Sequence, residues 1–463
     1  MKNLTFLFLS FCLLSQAQDY NLSDAIPVLS ENTSGVRFPR IAINGDNQPV
    51  IVYGKTDGKL YATIKNGSDF SEPINITGTG PAHGSSTNYG ADIAVSGDNL
   101  YVSYQANDGI YLITSIDNGQ TWNAPFEPID FPDHHVEFSK IGVGANGYPR
   151  IVSIKSNLNW TSPEQIVIYT NDGVNYEYSV ANDHLNNIVC ECCQGEFVAD
   201  SDQEVVLYRD NAQDIRDIEI AISNDASANF DQQTMIDFSN WYIPSCPVSG
   251  PEAYISSNRL HAVWMSRGSG STRAVAGTYD LANDSVGENH FVDDNVGASV
   301  TQNFPQIAGN DEFSAVIWED NRFTFKNIML AYSTDGLNSF GSSIVLSDTS
   351  TNGHATSPAI TIDNNEKIHI IYVEDNNIRY HLGSFSTGAA ELAEPIKLQQ
   401  ISLNEYLIPH QNELIGVFNH LGQQVKLGAA NTKTINLNHL ESGIYYIHLN
   451  AENQTQIAKV FVQ

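Results

Sequence analysis

The chain has 463 residues, a formal net charge of −31 and only 16% charged residues. That length exceeds one ordinary small domain, and the acidic balance argues against nucleic-acid backbones and anionic membrane surfaces as partners. Tyr, Phe, Asn, Asp, Ser, Thr and Gly are plentiful and long helix-forming stretches are missing, so short strands joined by many turns are expected.

The N-terminus carries the marks of a secretory signal over residues 1–17. Lys2 is the positive start, Leu4 to Leu14 is a short apolar core, and Ser15-Gln16-Ala17 is a small-residue cleavage site. Cys12 follows the bulky Phe11, which suits lipoprotein acylation poorly. No other segment is long and apolar enough to cross a bilayer. Export leaves Cys190, Cys192, Cys193 and Cys246 in an oxidising setting.

Between residues 18 and 386 one pattern recurs about every fifty residues. A short strand, often led by Pro or Gly, starts at Pro39, Ala91, Ser139, Glu196, Pro251, Pro305 and Pro358. A turn and a second strand with an aromatic or apolar end follow, as in Val50-Ile-Val-Tyr53, Val205-Val-Leu-Tyr208 and Ala315-Val-Ile-Trp318. The period suits a four-stranded propeller blade, and seven starts predict seven blades. The seventh pass lacks a fourth strand after His381, which Ala25 to Leu29 can supply to close the ring and remove the open edges.

The third strand of the second pass ends in Ser115-Ile-Asp117-Asn-Gly119-Gln-Thr121-Trp122. Asp117 can accept from turn N–H groups, Gly119 supplies a positive φ, and Trp122 packs between blades. The octad resembles the Asp box of sialidase-like β-propellers, and worn versions stand at Thr170, Ser223 and Ser333. Such a turn satisfies itself, so it speaks for a fold more than for a ligand. The fold class expected is therefore all-β, a seven-bladed β-propeller, with the six-bladed sialidase type as the alternative.

From residue 387 a Gly-Ala-Ala-Glu linker leads into a different unit, expected to be a small β-sandwich. Phe418 to Val425, Thr434 to Ile447 and Ala458 to Val462 resemble the C-terminal sorting domain of the type IX secretion system. Its usual Tyr-Pro-Asn-Pro opening is absent, with Tyr406-Leu-Ile-Pro409 in its place. The resemblance implies a Bacteroidetes-type bacterium, handling by that secretion machinery, and release or cell-surface attachment.

In a propeller, the loops leading into the innermost strands and those joining strands two and three share one face. Arg37, His83, His135, His354 and the four cysteines belong to the first class of loop, and Arg209 and Arg322 to the second. Such a ring of titratable groups is where propellers bind ligands. Arg37-Phe-Pro39 is similar to the Arg-Ile-Pro that opens sialidases, which implies that Arg37 meets a substrate carboxylate, with Arg209 and Arg322 completing a cationic clamp. Val36 replaces the usual aromatic, and no tyrosine nucleophile with its glutamate partner can be placed. His83, His135 and His354 instead suit proton abstraction beside a uronate carboxylate, as in a polysaccharide lyase, or acid–base work in a glycosidase.

Cys190-Glu-Cys192-Cys193 and Cys246 fall in the leading loops of neighbouring passes and can meet. The expectations are a disulfide to Cys246 with a second bridge inside the cluster, or a thiolate metal site helped by His134, His135 or His184. Together with Tyr208-Arg-Asp210 and Arg216-Asp-Ile218, the cysteines resemble a group of secreted bacterial sialidase-like propellers. The functional expectation is an exported protein that binds or acts on a glycan or polysaccharide, anionic in character. It requires no cofactor, a metal at the cysteine and histidine loops being the alternative. The alternatives for its activity are exo-sialidase, lyase or glycosidase, non-catalytic surface binding module, and metal-binding protein.

Overall fold

The computed structural model describes residues 19–30, 35–83, 90–182, 188–201, 203–293, 296–348, 353–386, 398–408, 412–419, 425, 433–451 and 454–462. The segment expected to be a signal, His184 and the stretch expected to be a linker lie outside them. The chain divides into two compact units, Leu22–Ser384 and one that contains Phe385–Gln463.

Among the described residues of the larger unit seven antiparallel sheets follow one another, six built from consecutive strands and the seventh completed by the N-terminal segment. Their first strands are Arg37–Ile43, Asp92–Ser96, His134–Val143, Glu196–Ala199, Glu252–Ser256, Gln302–Gly309 and Thr356–Ile362. Each first strand touches the next, and the seventh touches the first, so the sheets stand as blades around a closed ring. Closure is sealed by the N-terminal segment. Ile26–Pro27 pairs with Arg379 and Tyr380 of the seventh sheet, and the Ser23 and Val28 amides donate to the Leu382 and Ile378 carbonyls.

The second strands explain why the sequence reads as unbroken apolar runs. Side chains alternate between the two faces of a strand, and here both faces are buried between neighbouring sheets. Val50 and Val52 pack with Leu100 and Val102 of the second sheet, while Ile51 and Tyr53 pack with Ile371 and Tyr380 of the seventh. Val205 and Leu207 likewise face Leu260 and Trp264, while Val206 and Tyr208 face Val152 and Phe197.

Four turns at the far ends of third strands share one hydrogen-bond scheme. In the Ser115 octad the Ser115 hydroxyl donates to Asp117 Oδ1 at 2.8 Å and accepts from the Gly119 amide at 3.0 Å. Asp117 also accepts from the Thr121 amide and hydroxyl at 2.9 and 2.6 Å, and Trp122 Nε1 donates to the Gly119 carbonyl. Gly119 has φ +87°, a region an L side chain avoids. The Thr121 hydroxyl and amide hold Asp117 below the usual carboxylate range. Thr170 with Asp172, Ser223 with Asp225 and Ser333 with Asp335 repeat the serine-or-threonine-to-aspartate bond.

Among its described residues the smaller unit has two three-stranded antiparallel sheets. Tyr406 and Ile435 of one sheet share a core with Val417, Ile447, Leu449 and Val460 of the other, which makes it a sandwich.

Candidate functional site

Antiparallel register decides which residues meet at the end opposite the self-satisfied turns. Arg37 pairs with Gly54, His135 with Ser156 and Asn303 with Glu319, so the starts of first strands lie beside the ends of second strands. Four first strands are bulged there, between Arg37 and Arg40, Glu137 and Lys140, Asn303 and Gln306, and Thr356 and Ala359. The bulged residues Phe38, Phe138, Phe304 and Ser357 have φ of +46°, +61°, +49° and +56°. Three of the four are aromatic, a costly choice at positive φ, and strain of this kind collects at ligand-binding ends of folds.

The residues after the first three bulges, Arg40, Lys140 and Gln306, and their counterparts Asp92, Glu196 and Glu252 in unbulged strands form a second layer in which charged and polar groups pair around the ring. Arg40 lies 3.6 Å from Asp92. Lys140 Nζ lies 2.6 Å from both Glu196 and Glu252, and Gln306 donates to Glu252 at 2.7 Å. Burial pushes the Glu196 carboxyl well up; Glu252, also desolvated, is held low by Lys140. Burial opposes the Lys140 charge, and Glu196 and Glu252 more than offset it. Above this layer a small cavity of about 40 Å³ is lined by Phe38, Arg40, Glu252, Phe304, Gln306 and Glu319. It has room for a water or two. A cavity of this size cannot take a sugar ring, so such a ligand would lie over it rather than in it.

Sequence reasoning missed this ring, although its signal was in view. A polar or charged residue directly follows the Pro, Ala, Ser or Gly that leads six of the seven first strands, at Arg40, Asp92, Lys140, Glu196, Glu252 and Gln306.

The histidines fare differently from one another. His135 stacks on Trp160 with ring centroids 4.8 Å apart and planes within 6°, and its Nδ1 lies 3.5 Å from Asp108. Asp108, His135 and Glu137 offer ligand atoms within 4.8 Å of one another. Burial pushes the Glu137 carboxyl above its ordinary value. His83 is buried, with Nε2 3.1 Å from the Lys55 carbonyl. His354 is exposed, accepts at Nδ1 from the Lys326 amide at 3.0 Å and meets Phe325 edge-on. Trp160 was not foreseen, because it sits in the hairpin turn after Asn157 and only the turn brings it over His135.

Of the three arginines, Arg37 is exposed at the mouth. Arg209 is buried over Trp241 and donates to the carbonyls of Ser249, Met265 and Arg216. Arg322 grips Asp320 through two bonds of 2.9 and 2.7 Å and reaches Asp293 at 2.8 Å. The donors of Arg209 and Arg322 are thus spent within the protein. Tyr208 stands opposite Glu219 across the ladder, and burial first and Glu219 second push its phenol far up.

The cysteine loops do meet. Cys192 and Cys246 are joined by a disulfide, with Cα atoms 6.3 Å apart. Cys190 and Cys193 are free and buried, with sulfurs 2.9 Å apart. Arg209 fixes the second loop through Ser249, and Arg216 reaches Glu191 of the first at 3.5 Å. Asp217 accepts from the Asn240 and Trp241 amides, which sets the segment leading to Cys246. The Tyr208-Arg-Asp210 and Arg216-Asp-Ile218 motifs therefore build the cysteine pocket.

Among solved structures, the chain is similar to a Hadza microbial sialidase, at 11% identity over 78% of this chain and 67% of that one, with a TM-score of 0.46. A protein of unknown function from Dyadobacter fermentans gives 10% identity over 79% and 99%, with a TM-score of 0.47. The GH93 alpha-L-arabinofuranosidase of Fusarium graminearum gives 11% over 64% and 92%, with a TM-score of 0.44. No curated protein matches the chain. Residues 397–463 match the model of the secretion system C-terminal sorting domain. The chain thus carries a type IX sorting domain, and the protein is secreted or held at the cell surface.

Proposed function

We propose that this exported propeller protein binds an anionic glycan across the mouth of the ring and processes it with the His135 cluster. The observation that carries the reading is the stack of His135 on Trp160, with Asp108 at 3.5 Å and Glu137 beside it. An imidazole held flat by an indole and flanked by carboxylates is a positioned acid–base group. Glu137, raised by burial, suits proton donation to a leaving oxygen. The half-buried rings of Phe38, Phe138 and Phe304 around the mouth supply amphipathic surface of the kind sugar rings pack on. The exposure of Arg37 at the mouth supports a role for it in meeting a sugar carboxylate.

The test exposes the purified chain to sialylated, uronate-rich and sulfated glycans and scores released sugar and new unsaturated ends. Product that disappears in His135→Ala and Glu137→Gln while ligand still binds supports the processing reading. Binding without product in the unaltered chain leaves a lectin-like surface module. Neither binding nor product on any panel member defeats the proposal.

A further inference from the structure

The four cysteines are arranged in a way that neither the glycan reading nor a simple staple uses. Three come from the turn at residues 190–193, which Cys193 closes by donating its amide to the Cys190 carbonyl, and the fourth from the next blade's loop. One ligand atom from each lies within 4.8 Å of all the others. Cys190 Sγ is 3.7 Å from Cys192 Sγ and 3.9 Å from Cys246 Sγ. The edge of a sulfur tetrahedron around a zinc-sized ion with bonds of about 2.3 Å is about 3.8 Å. The two close pairs, Cys190 with Cys193 and Cys192 with Cys246, are opposite edges of that tetrahedron.

Four thiolates and a divalent ion carry a net charge of −2, and the Arg209 and Arg216 guanidiniums, held against the two cysteine loops by Ser249 and Glu191, have the sign that offsets it. The two loops are pressed together, since a Cβ at Gly250 would run into the Gln194 carbonyl oxygen.

We propose that this pocket is a redox-gated site for one tetrahedral, thiophilic divalent metal ion of the zinc class. A dithiol reductant gives two electrons and two protons to the Cys192–Cys246 disulfide and leaves as its own disulfide. The four cysteines then release four protons as they bind the ion. In the oxidised form the bridge removes two of the four ligands and the ion is not held.

The experiment uses the full chain, reduced with a dithiol and then freed of reductant under nitrogen, beside an oxidised sample. Zinc is measured by elemental analysis, and cobalt(II) is added to a metal-free reduced sample. The expected result is one ion per chain only after reduction, with intense thiolate-to-cobalt charge-transfer and tetrahedral ligand-field bands. All four cysteines become protected from alkylation when the ion is bound. Losing even an outer-shell partner of a metal ligand costs roughly 10–100-fold in affinity, so Cys190→Ser and Cys193→Ser are expected to cost more than about 100-fold. Circular dichroism shows whether each variant still folds, and the cobalt spectrum of the unaltered chain needs no variant at all. A reduced, folded chain that takes up no zinc and gives an octahedral cobalt spectrum overturns the proposal. So does a Cys190–Cys193 bridge that persists in folded protein under the dithiol, or equal metal uptake with and without reduction.

Discussion

The two ends of the propeller strands are stabilised in different ways. At one end the Ser115, Thr170, Ser223 and Ser333 turns close on themselves, each serine or threonine hydroxyl and aspartate bound within a few residues. At the other end, bonds run between blades. Lys140 bridges the fourth and fifth blades, Arg322 of the sixth reaches back to Asp293, and Arg209 ties the fourth to Ser249 and Met265. A local turn is stable wherever it is placed, so it tolerates repetition and carries no specificity. Groups that need partners from another blade meet only once the ring has closed; the turn end has one such buried pair in Arg150 and Glu204, while the other end bears the bulged strands, the Lys140 layer and the candidate chemistry.

The sharpest way to break this contrast is Lys140→Met. It leaves Glu196 and Glu252 buried against each other, and removing one partner of a buried pair costs about 3–5 kcal/mol. The urea midpoint of the propeller transition should fall accordingly. A loss below about 1 kcal/mol would show that the inter-blade layer is solvated and holds nothing together.

Asp237 tests the same end by pH. It is buried, and desolvation first and Asp217 second push its carboxyl up to about 6. Its Oδ2 has no hydrogen-bond partner among the described residues. A folded-state value above the unfolded one means stability that is full below about pH 4 and is lost as pH rises through about 6. Asp237→Asn should therefore stabilise the protein at pH 7.5 by about 1–3 kcal/mol and flatten the stability profile between pH 4 and 6. Thermal melts across that window check it, and an unchanged slope refutes it.

Asp117→Ala strikes the self-contained end. Three bonds to its side chain disappear, yet the partners are near the surface and water can replace them, so about 1–2 kcal/mol is expected. Glycan binding and metal uptake should be untouched, and a change in either would mean that the two ends communicate. The smallest effect on stability is expected for Trp160→Ala, within about 0.5–1 kcal/mol because the residue is only half-buried. Glycan affinity should nevertheless fall about tenfold, equivalent to about 1.4 kcal/mol. Equal affinity for variant and unaltered chain would remove the His135 stack from the site.

Much of the architecture could be read from the residues themselves. The fifty-residue recurrence, the apolar second strands and the Ser115 octad depend on neighbours a few positions away, so their consequences are visible in one dimension. The approach of Cys246 to Cys190, Cys192 and Cys193 followed from assigning both to leading loops of adjacent blades. The fate of the charged residues did not follow. Arg209, Arg322 and Arg37 look alike in sequence, yet the first is spent on backbone carbonyls, the second on two aspartates, and the third stands exposed. His135 and His83 occupy similar loops, but one is stacked on an indole while the other is buried against the Lys55 carbonyl.

The sequence by itself determined the strands, the turns, the period and the secretion tail, because hydrophobic alternation and turn chemistry act over a few residues. Only the tertiary structure decided which charges pair across the axis, which aromatic meets which histidine and how the four sulfurs converge. The charge pairs and the sulfurs join residues from different blades, up to 112 positions apart in Lys140 and Glu252, and the His135 stack joins a strand to a hairpin turn of its own blade. Their partners are fixed by ring closure and strand register, which no local pattern encodes.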